Sequence, residues 1–552
     1  MFIHNENKKI FEELLLANPK SRKDLDCFKR QIAKKYNLPL FKTSELISIY
    51  HEFTLKKAKP NYSLEKILIK RPVRSLSGIV NVSVLTKPYP CPGKCIFCPT
   101  QKNIPKSYLA GEPAVQRAIA NKFSPYKQVE MRLKALQATG HPIDKVELRI
   151  IGGTWSYYSR VYRKWFIAEC FKACNEFNKR IRNQKSGIRN LEELQKQNEK
   201  VKCRIVGIAV ETRPDYINAE EIKFMRELGI TKVELGVQAI DDKILKLNQR
   251  GHSVESIITA TRLLKNAGFK VSYQMMPGLY GSTPKKDLAM FQEIFTNPNF
   301  KPDYLKIYPL ALVKNTKLYN LYKQKKFKPY TKNQLIKLIV EIKKIIPCWV
   351  RVERIIRDIP PTDIVEGGSN ILNMREIVAK EMANMNLACK CVRCREVGAN
   401  YESKERIYLF KQEYEASGGK PASALSGYGV AREIFLSFEN KNKTKLFGLL
   451  RLRITDKTAI VRELHVYGQM AQISRPQGSA NLSQHKGLGK KLLAQAEKIV
   501  YAEQFNKAHC KRSRSTKQNR FSQIAVISGV GVRPYYRKLG YKLQNTYMVK
   551  KL

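Results

Sequence analysis

From residue 76 the chain alternates short β-branched or apolar runs with helical stretches, and this alternation constrains the fold more than anything else in the sequence. Residues 78–85, 145–152, 206–210, 232–237, 270–275 and 304–307 read as strands, with helices between them that include 114–137 and 254–267. Successive βα units lay their strands side by side in parallel. Six of them predict an α/β fold, a partial TIM-like (βα)6 barrel over residues 76–365, with reactive groups on the loops after the strands' carboxyl ends. The sequence loads those loops. Cys91, Cys95 and Cys98 follow the first strand, Gly152-Gly153-Thr154 the second and Glu211-Thr212-Arg213 the third. Gln238 belongs to the fourth, Met276-Pro277-Gly278 follows the fifth, and Lys306, Tyr308 and Pro309 close the sixth. A glycine pair admits a ligand close to backbone N–H groups, although any one of these strand ends alone is also an ordinary turn signal.

The three cysteines are spaced C-x3-C-x2-C, with Phe97 just before the third. Thiolates at this spacing can hold three irons of a 4Fe-4S cluster and leave the fourth iron open. An open iron can chelate the amino and carboxylate groups of S-adenosylmethionine, whose reductive cleavage releases a deoxyadenosyl radical. The competing reading is a zinc knuckle, for which this spacing is unusual. A second group, Cys389, Cys391 and Cys394, is spaced C-x-C-x2-C and suits a tetrahedral zinc ion, with His51 or His4 as candidates for the missing fourth ligand. Free thiols in a turn remain the alternative there.

Lys and Arg number 102 against 47 Asp and Glu, a formal charge of +55, which points to a polyanionic partner. No apolar run of 18 residues or more occurs, so nucleic acid is favoured over membrane. Twelve cysteines, several grouped as thiolate ligands, suit a reducing, cytoplasmic setting. Residues 1–75 carry 17 Lys or Arg against 8 Asp or Glu, with basic and aromatic residues interleaved at 28–36, and read as a basic helical nucleic-acid-binding arm. A solvated arm that only packs on the next domain is the alternative. Residues 183–200, polar and without a periodic apolar face, read as a surface insertion.

The last 150 or so residues change character after a metal-binding linker at 366–400. In the segment 401–552, paired strands at 446–454 and 459–467 precede Gln484, Gly487, Leu488 and Gly489, which open a helix at Lys490. Such a glycine loop aims backbone amides at a pyrophosphate, with the helix N-terminus adding a favourable field. A strand at 524–528 and the run from Arg533 to Tyr541 follow, and together these resemble a GNAT acetyl-CoA domain. In that family a tyrosine can protonate the departing thiolate. Tyr536 is the candidate, with core packing as the alternative for it.

A radical barrel joined to a GNAT module resembles the Elongator catalytic subunit family, over roughly residues 77–552. Ordered blocks at 90–99, 140–147, 209–215 (Ala-Val-Glu-Thr-Arg-Pro-Asp), 234–238, 250–252, 306–309, 354–360, 463–468 (Glu-Leu-His-Val-Tyr-Gly) and 525–529 carry the resemblance. It implies formation of 5-carboxymethyluridine at the tRNA wobble position from acetyl-CoA. The deoxyadenosyl radical would take hydrogen from the acetyl methyl group, the carbon radical would add to uridine C5, and thioester hydrolysis would leave the carboxymethyl group.

Carried over by position, Cys91, Cys95 and Cys98 hold the cluster, while Lys145, Glu463, Leu464, His465, Val466, Leu488, Gly489, Lys490 and Tyr536 contact acetyl-CoA. Lys306 and Tyr308 line the chamber and activate groups for thioester opening. Gln274, Tyr280 and Trp155 depart from residues common in the family. The partners implied are tRNA and an external electron donor, with a homodimer or accessory subunits left open. Protein lysine N-acetylation is the rival function, but it leaves the cysteine motif without a task.

Overall fold

The computed structural model describes residues 2–54, 61–69, 78–177, 190–368, 371, 373–398, 405–416, 431–468, 487–509 and 522–552. The chain opens with helices α1 (Phe2–Ala17), α2 (Arg22–Lys35), α3 (Thr43–Thr54) and α4 (Tyr62–Leu68). Ser21 and Asp24 close a capping box at the start of α2, satisfying two amides that the helix cannot. The apolar faces of these helices bury Leu14, Phe28, Ile32, Leu46 and Tyr50 in a core of their own.

Seven parallel strands follow: β1 (Val80–Leu85), β2 (Lys145–Ile151), β3 (Arg204–Thr212), β4 (Lys232–Gln238), β5 (Lys270–Met275), β6 (Tyr304–Ile307) and, beyond the short β7 (Ala311–Val313), β8 (Arg351–Ile355). They pair in the order β1-β2-β3-β4-β5-β6-β8 as a curled, open half-barrel, while β7 pairs with β9 (Ile364–Gly367) in a separate ribbon. All six strands expected from the sequence are present, and β8, which was not among them, extends the sheet. Two expectations need correction. The helix read at 114–137 is two helices, Pro113–Ala120 and Pro125–Ala138, because Pro125 disfavours helical backbone at Ser124 and the chain turns through positive φ at Lys122 and Phe123. Nor is the end of the polar stretch a surface insertion. The helix Leu191–Asn198 buries Leu191 and Leu194, and the Asn198 side chain accepts from the Ile205 amide at 2.8 Å and donates to the Cys203 carbonyl at 3.2 Å, tying the helix to β3.

The C-terminal domain is a mixed sheet of β10 (Tyr408–Ala416), β11 (Ala431–Glu439), β12 (Leu446–Ile454), β13 (Ala459–Val466), β14 (Gln523–Val526), β15 (Lys542–Gln544) and β16 (Tyr547–Lys551), in the order β10-β11-β12-β13-β14-β16-β15. Only β13 and β14 are parallel, and their pairing stops at Val461 and Val526. Beyond that point β13 runs on with no partner on that side among the described residues, so the sheet splits into a wedge. A bulge between β12 and β13 leaves Arg462 unmatched and re-aims its side chain.

This domain packs under the amino ends of the barrel strands. Arg462 donates to both Asp303 oxygens at 2.6 and 2.7 Å, to Glu433 at 2.9 Å and to the Phe269 carbonyl at 2.8 Å. Arg451 donates to Glu463 at 2.7 Å and to the Trp349 carbonyl at 2.6 Å, and Tyr304 donates to Glu463. Burial opposes ionisation of Glu463, yet Arg451, Lys270 and the Tyr304 hydroxyl hold its carboxyl down at about 2. Burial likewise opposes ionisation of Asp303, and Arg462 and Lys265 hold it well below the carboxylate range. Both folded values lie below the unfolded ones, so this stability is complete above about pH 4.5 and is lost as pH falls towards 2. Thermal melts stepped from pH 6 to 3 should show it, with Glu463 alone contributing on the order of 3 kcal/mol and the Glu463→Gln protein showing a flatter profile. Equal acid sensitivity in both proteins would remove Glu463 from the account.

Candidate active site

A cavity of about 1050 Å³ runs through the barrel, reaching Cys91, Cys95 and Cys98 at one end and the split of the C-terminal sheet at the other. Its walls follow from strand alternation. Glu147 and Arg149 of β2, Lys232 of β4, Lys270 and Gln274 of β5, and Arg351 and Glu353 of β8 are two residues apart or in step, so their side chains share the inner face. A closed TIM barrel fills this space with branched apolar side chains; here it is a bore with charged walls.

At the carboxyl end, the loop after β1 is fixed by the Ile96 amide on the Asn248 carbonyl and the Ile96 carbonyl on the Leu318 amide, at 3.2 and 2.9 Å. Arg250 donates to Cys95 Sγ at 3.3 Å, and Thr154 Oγ1 lies 3.7 Å from Cys91 Sγ. Gly152 has φ +123°, and a Cβ there would lie 2.2 Å from Thr86 Oγ1, so only glycine makes this turn. Gln238 takes a left-handed φ of 71° and Arg213 is clamped by Asp215 at 2.8 and 2.9 Å. The Gln238 side-chain oxygen and one Arg213 terminal nitrogen are buried without a hydrogen-bond partner among the described residues. Polar atoms left so at a cavity wall call for a ligand.

Deeper in the bore, Glu211 accepts from Tyr108 at 2.9 Å, from Gln274 at 3.0 Å and from Lys306 at 3.4 Å. Lys306 also donates to Glu234, which Arg149 and Lys232 approach at 3.1 and 3.6 Å. Lys306 is fully buried one layer behind the wall, whereas Tyr308 reaches the cavity with its phenol pushed up to about 12 by burial.

At the far end stand Glu463, Leu464, His465 and Val466 of the splayed β13 segment, then Gly487, Gly489 and Lys490 at the start of the helix Leu488–His509. Tyr536 lines this end, and the Tyr535 hydroxyl lies 3.1 Å from where a Gly489 Cβ would be. Burial lowers the His465 imidazole and keeps the Tyr536 phenol protonated.

Of the residues singled out from sequence, Cys91, Cys95, Cys98, Gly153, Thr154, Glu211, Gln238, Tyr308 and the far-end group line one cavity. Lys145, at the start of β2, and Gly152, Lys306 and Leu488 lie outside its lining, and Gln484 lies outside the described residues. Sequence reasoning gave no role to Arg149, Arg250, Glu234 or Tyr535. The signal for the first and third was the charged residue at every second position of β2 and β4.

The sulfurs of Cys389, Cys391 and Cys394 lie within 4.8 Å of one another, and no His, Asp or Glu among the described residues joins them. His51 is therefore not the fourth ligand, and the side chain of His4 lies outside the described residues. Cys91, Cys95 and Cys98 form no such tight group. Sulfurs on one zinc at about 2.3 Å each stand no further apart than about 4.6 Å, close to the spacing of the second triad.

Residues 89–294 match the radical SAM superfamily and 302–384 the radical SAM C-terminal domain. A Methanocaldococcus infernus protein named tRNA uridine(34) acetyltransferase is 46% identical over 507 residues, 88% of each chain. Elongator complex protein 3 of Bos taurus is 34% identical over 98% of this chain and 96% of its own. The chain belongs to the Elongator complex protein 3 family. A solved structure of the Methanocaldococcus infernus Elp3 lacking its N-terminus (1–46) superposes with a TM-score of 0.69 at 40% identity, covering 86% of this chain and all of that one. The chain is thus a radical SAM enzyme, and its family implies a 4Fe-4S cluster and S-adenosylmethionine. Among the described residues no helix is long and apolar enough to cross a membrane.

Proposed function

We propose that the protein forms 5-carboxymethyluridine at the wobble position of tRNA from acetyl-CoA. The observation that carries this reading is the continuous bore with the cysteine triad at one mouth and the glycine loop at the other. Lysine acetylation needs only the second mouth. When bound, the cluster and S-adenosylmethionine would supply a radical able to take hydrogen from an unactivated methyl group.

The protein's own groups divide the remaining work. Cys91, Cys95 and Cys98 hold the cluster, and the Arg250 N–H on Cys95 Sγ stabilises that thiolate. The unpartnered Arg213 N–H suits a carboxylate and the Gln238 oxygen an amine or hydroxyl, the groups that S-adenosylmethionine presents. Gly487, Gly489 and Lys490 at a helix N-terminus suit a pyrophosphate, and a linear thioester arm fits along the exposed edge of β13. Tyr536, protonated at neutral pH, holds the proton a departing thiolate needs, and Tyr535 stands beside it over the loop. Lys306 acts as a positioning residue, fixing the Glu211 carboxylate that faces the bore. An external electron donor must supply the reducing equivalent.

Relatives named for tRNA uridine(34) supply the substrate, and the +55 charge supports a nucleic-acid partner. The test is mass spectrometry of nucleosides from tRNA incubated with anaerobically reconstituted protein, S-adenosylmethionine, acetyl-CoA and a reductant. Carboxymethyluridine is expected. No modified uridine, with acetyl groups on protein lysines instead, would overturn the proposal in favour of the acetyltransferase. We further propose that Cys389, Cys391 and Cys394 hold a zinc ion. Metal analysis should find about one zinc per chain, and Cys391→Ser should remove it and lower the melting temperature. Full zinc retention in that variant would rule the site out.

A further inference from the structure

A row of aromatic rings stands on the two loops that carry Cys91 and Thr154 and on the helix Arg160–Glu176 that follows the second, and no step above uses it. Tyr89 stacks on Tyr158 with centroids 4.7 Å apart and planes 26° from parallel, and meets Tyr157 at 5.9 Å. Tyr158 stacks on Tyr162 at 5.1 Å, Tyr162 meets Trp165 at 5.6 Å, and Tyr157 sets its edge against Tyr216. The inner rings are anchored: the Tyr158 hydroxyl donates to the Lys87 carbonyl at 2.8 Å, and the Tyr162 hydroxyl accepts from the Lys87 amide at 3.0 Å. The outer rings are 39% (Tyr89), 39% (Tyr157) and 47% (Trp165) exposed. Rings that only completed a core would not leave this much surface in water.

The surrounding charge is positive. The Lys87 ammonium lies 4.9 Å from the Tyr162 ring centroid, and Lys94 and Lys164 are exposed. Two of the neighbouring acids are paired, Asp215 with Arg213 and Glu220 with Arg160.

We propose that Tyr89, Tyr157 and Trp165 form a stacking platform for the unpaired bases of an RNA loop beside the base that enters the cavity. This rests on the tRNA reading above. Aromatic faces set among lysines are what a flexible single strand requires, because every base has a π-face and every nucleotide a phosphate. The platform holds the loop at the mouth without reading its sequence.

The test uses the full-length reconstituted protein and an anticodon stem-loop RNA carrying 2-aminopurine next to the wobble position. Stacking on the platform should quench its fluorescence in the wild-type complex. Tyr89→Ala and Tyr157→Ala should each relieve the quenching and raise Kd by about 5- to 150-fold, since one stacked base is worth about 1–3 kcal/mol. Tyr157→Phe should restore binding. The salt slope should stay unchanged in the ring variants but fall by about one in Lys164→Ala. Wild-type affinity and quenching in both Ala variants would overturn the platform while leaving the tRNA reading intact. Unchanged RNA affinity with slower cluster reduction by a protein donor would also overturn it and assign the row to donor docking. A wild-type protein that does not bind the stem-loop would overturn both.

Discussion

Cys95→Ala is expected to reduce deoxyadenosine release and modified uridine to background while leaving the fold and acetyl-CoA binding in place. Cys95 carries a guanidinium on its sulfur, with Arg250 at 3.3 Å. Removing it leaves two thiolates for a cluster that needs three, in a loop whose backbone bonds to Asn248 and Leu318 do not depend on that sulfur. The glycine loop proposed to bind the acetyl-CoA pyrophosphate lies at the other mouth of the bore and should not register the change. Iron content, deoxyadenosine by chromatography and acetyl-CoA affinity measured on one preparation would check each part. Product formation at wild-type level would remove the triad from the reaction, and a variant that lost acetyl-CoA binding as well would point to a general loss of structure.

The barrel was legible because its strands and helices carry different periods and its carboxyl ends carry unusual chemistry. Cys91, Gly153, Thr154, Glu211 and Gln238 could each be assigned to a loop, and loops of one barrel end must face one another. What the strands enclose was harder to read. A buried parallel strand is apolar on both faces, and the β-branched residues of these runs point to that. In Lys145-Val-Glu-Leu-Arg and Lys232-Val-Glu-Leu every second residue is charged, which is the mark of a polar inner face rather than a filled core. The Arg149–Glu234–Lys306–Glu211 cluster follows from that alternation, but its pairing depends on strand register, which sequence alone does not fix. Lys306, expected on the chamber wall, is fully buried behind it. The C-terminal wedge depends on where two parallel strands stop pairing, a fact of geometry that leaves no residue-level mark.

Gly529→Ala is expected to uncouple the two mouths of the bore without changing the chemistry at either. Its φ of −67° and ψ of 155° suit any residue, so backbone freedom is not the reason for glycine here. Space is the reason. A Cβ would lie 2.1 Å from the Val206 carbonyl oxygen and 2.4 Å from its carbon, backbone atoms of the segment that opens β3. A side chain in the way could swing aside, but a strand in the middle of a seven-stranded sheet cannot, so the C-terminal domain must move away. Overpacking of this kind costs about 1–3 kcal/mol, which a thermal melt should register. The larger effect should be on product. A shift of about 1 Å between reacting groups can cost roughly 100-fold in rate, and in the proposed reaction the acyl group held at one mouth has to meet hydrogen abstraction at the other. Deoxyadenosine release and acetyl-CoA affinity, each a property of one domain, should change no more than a few-fold, while carboxymethyluridine falls roughly 100-fold. If all three measurements fell together, the glycine would be a stability determinant only. If none fell, the contact between the domains would not align the two mouths, and the bore could not be the path that joins them.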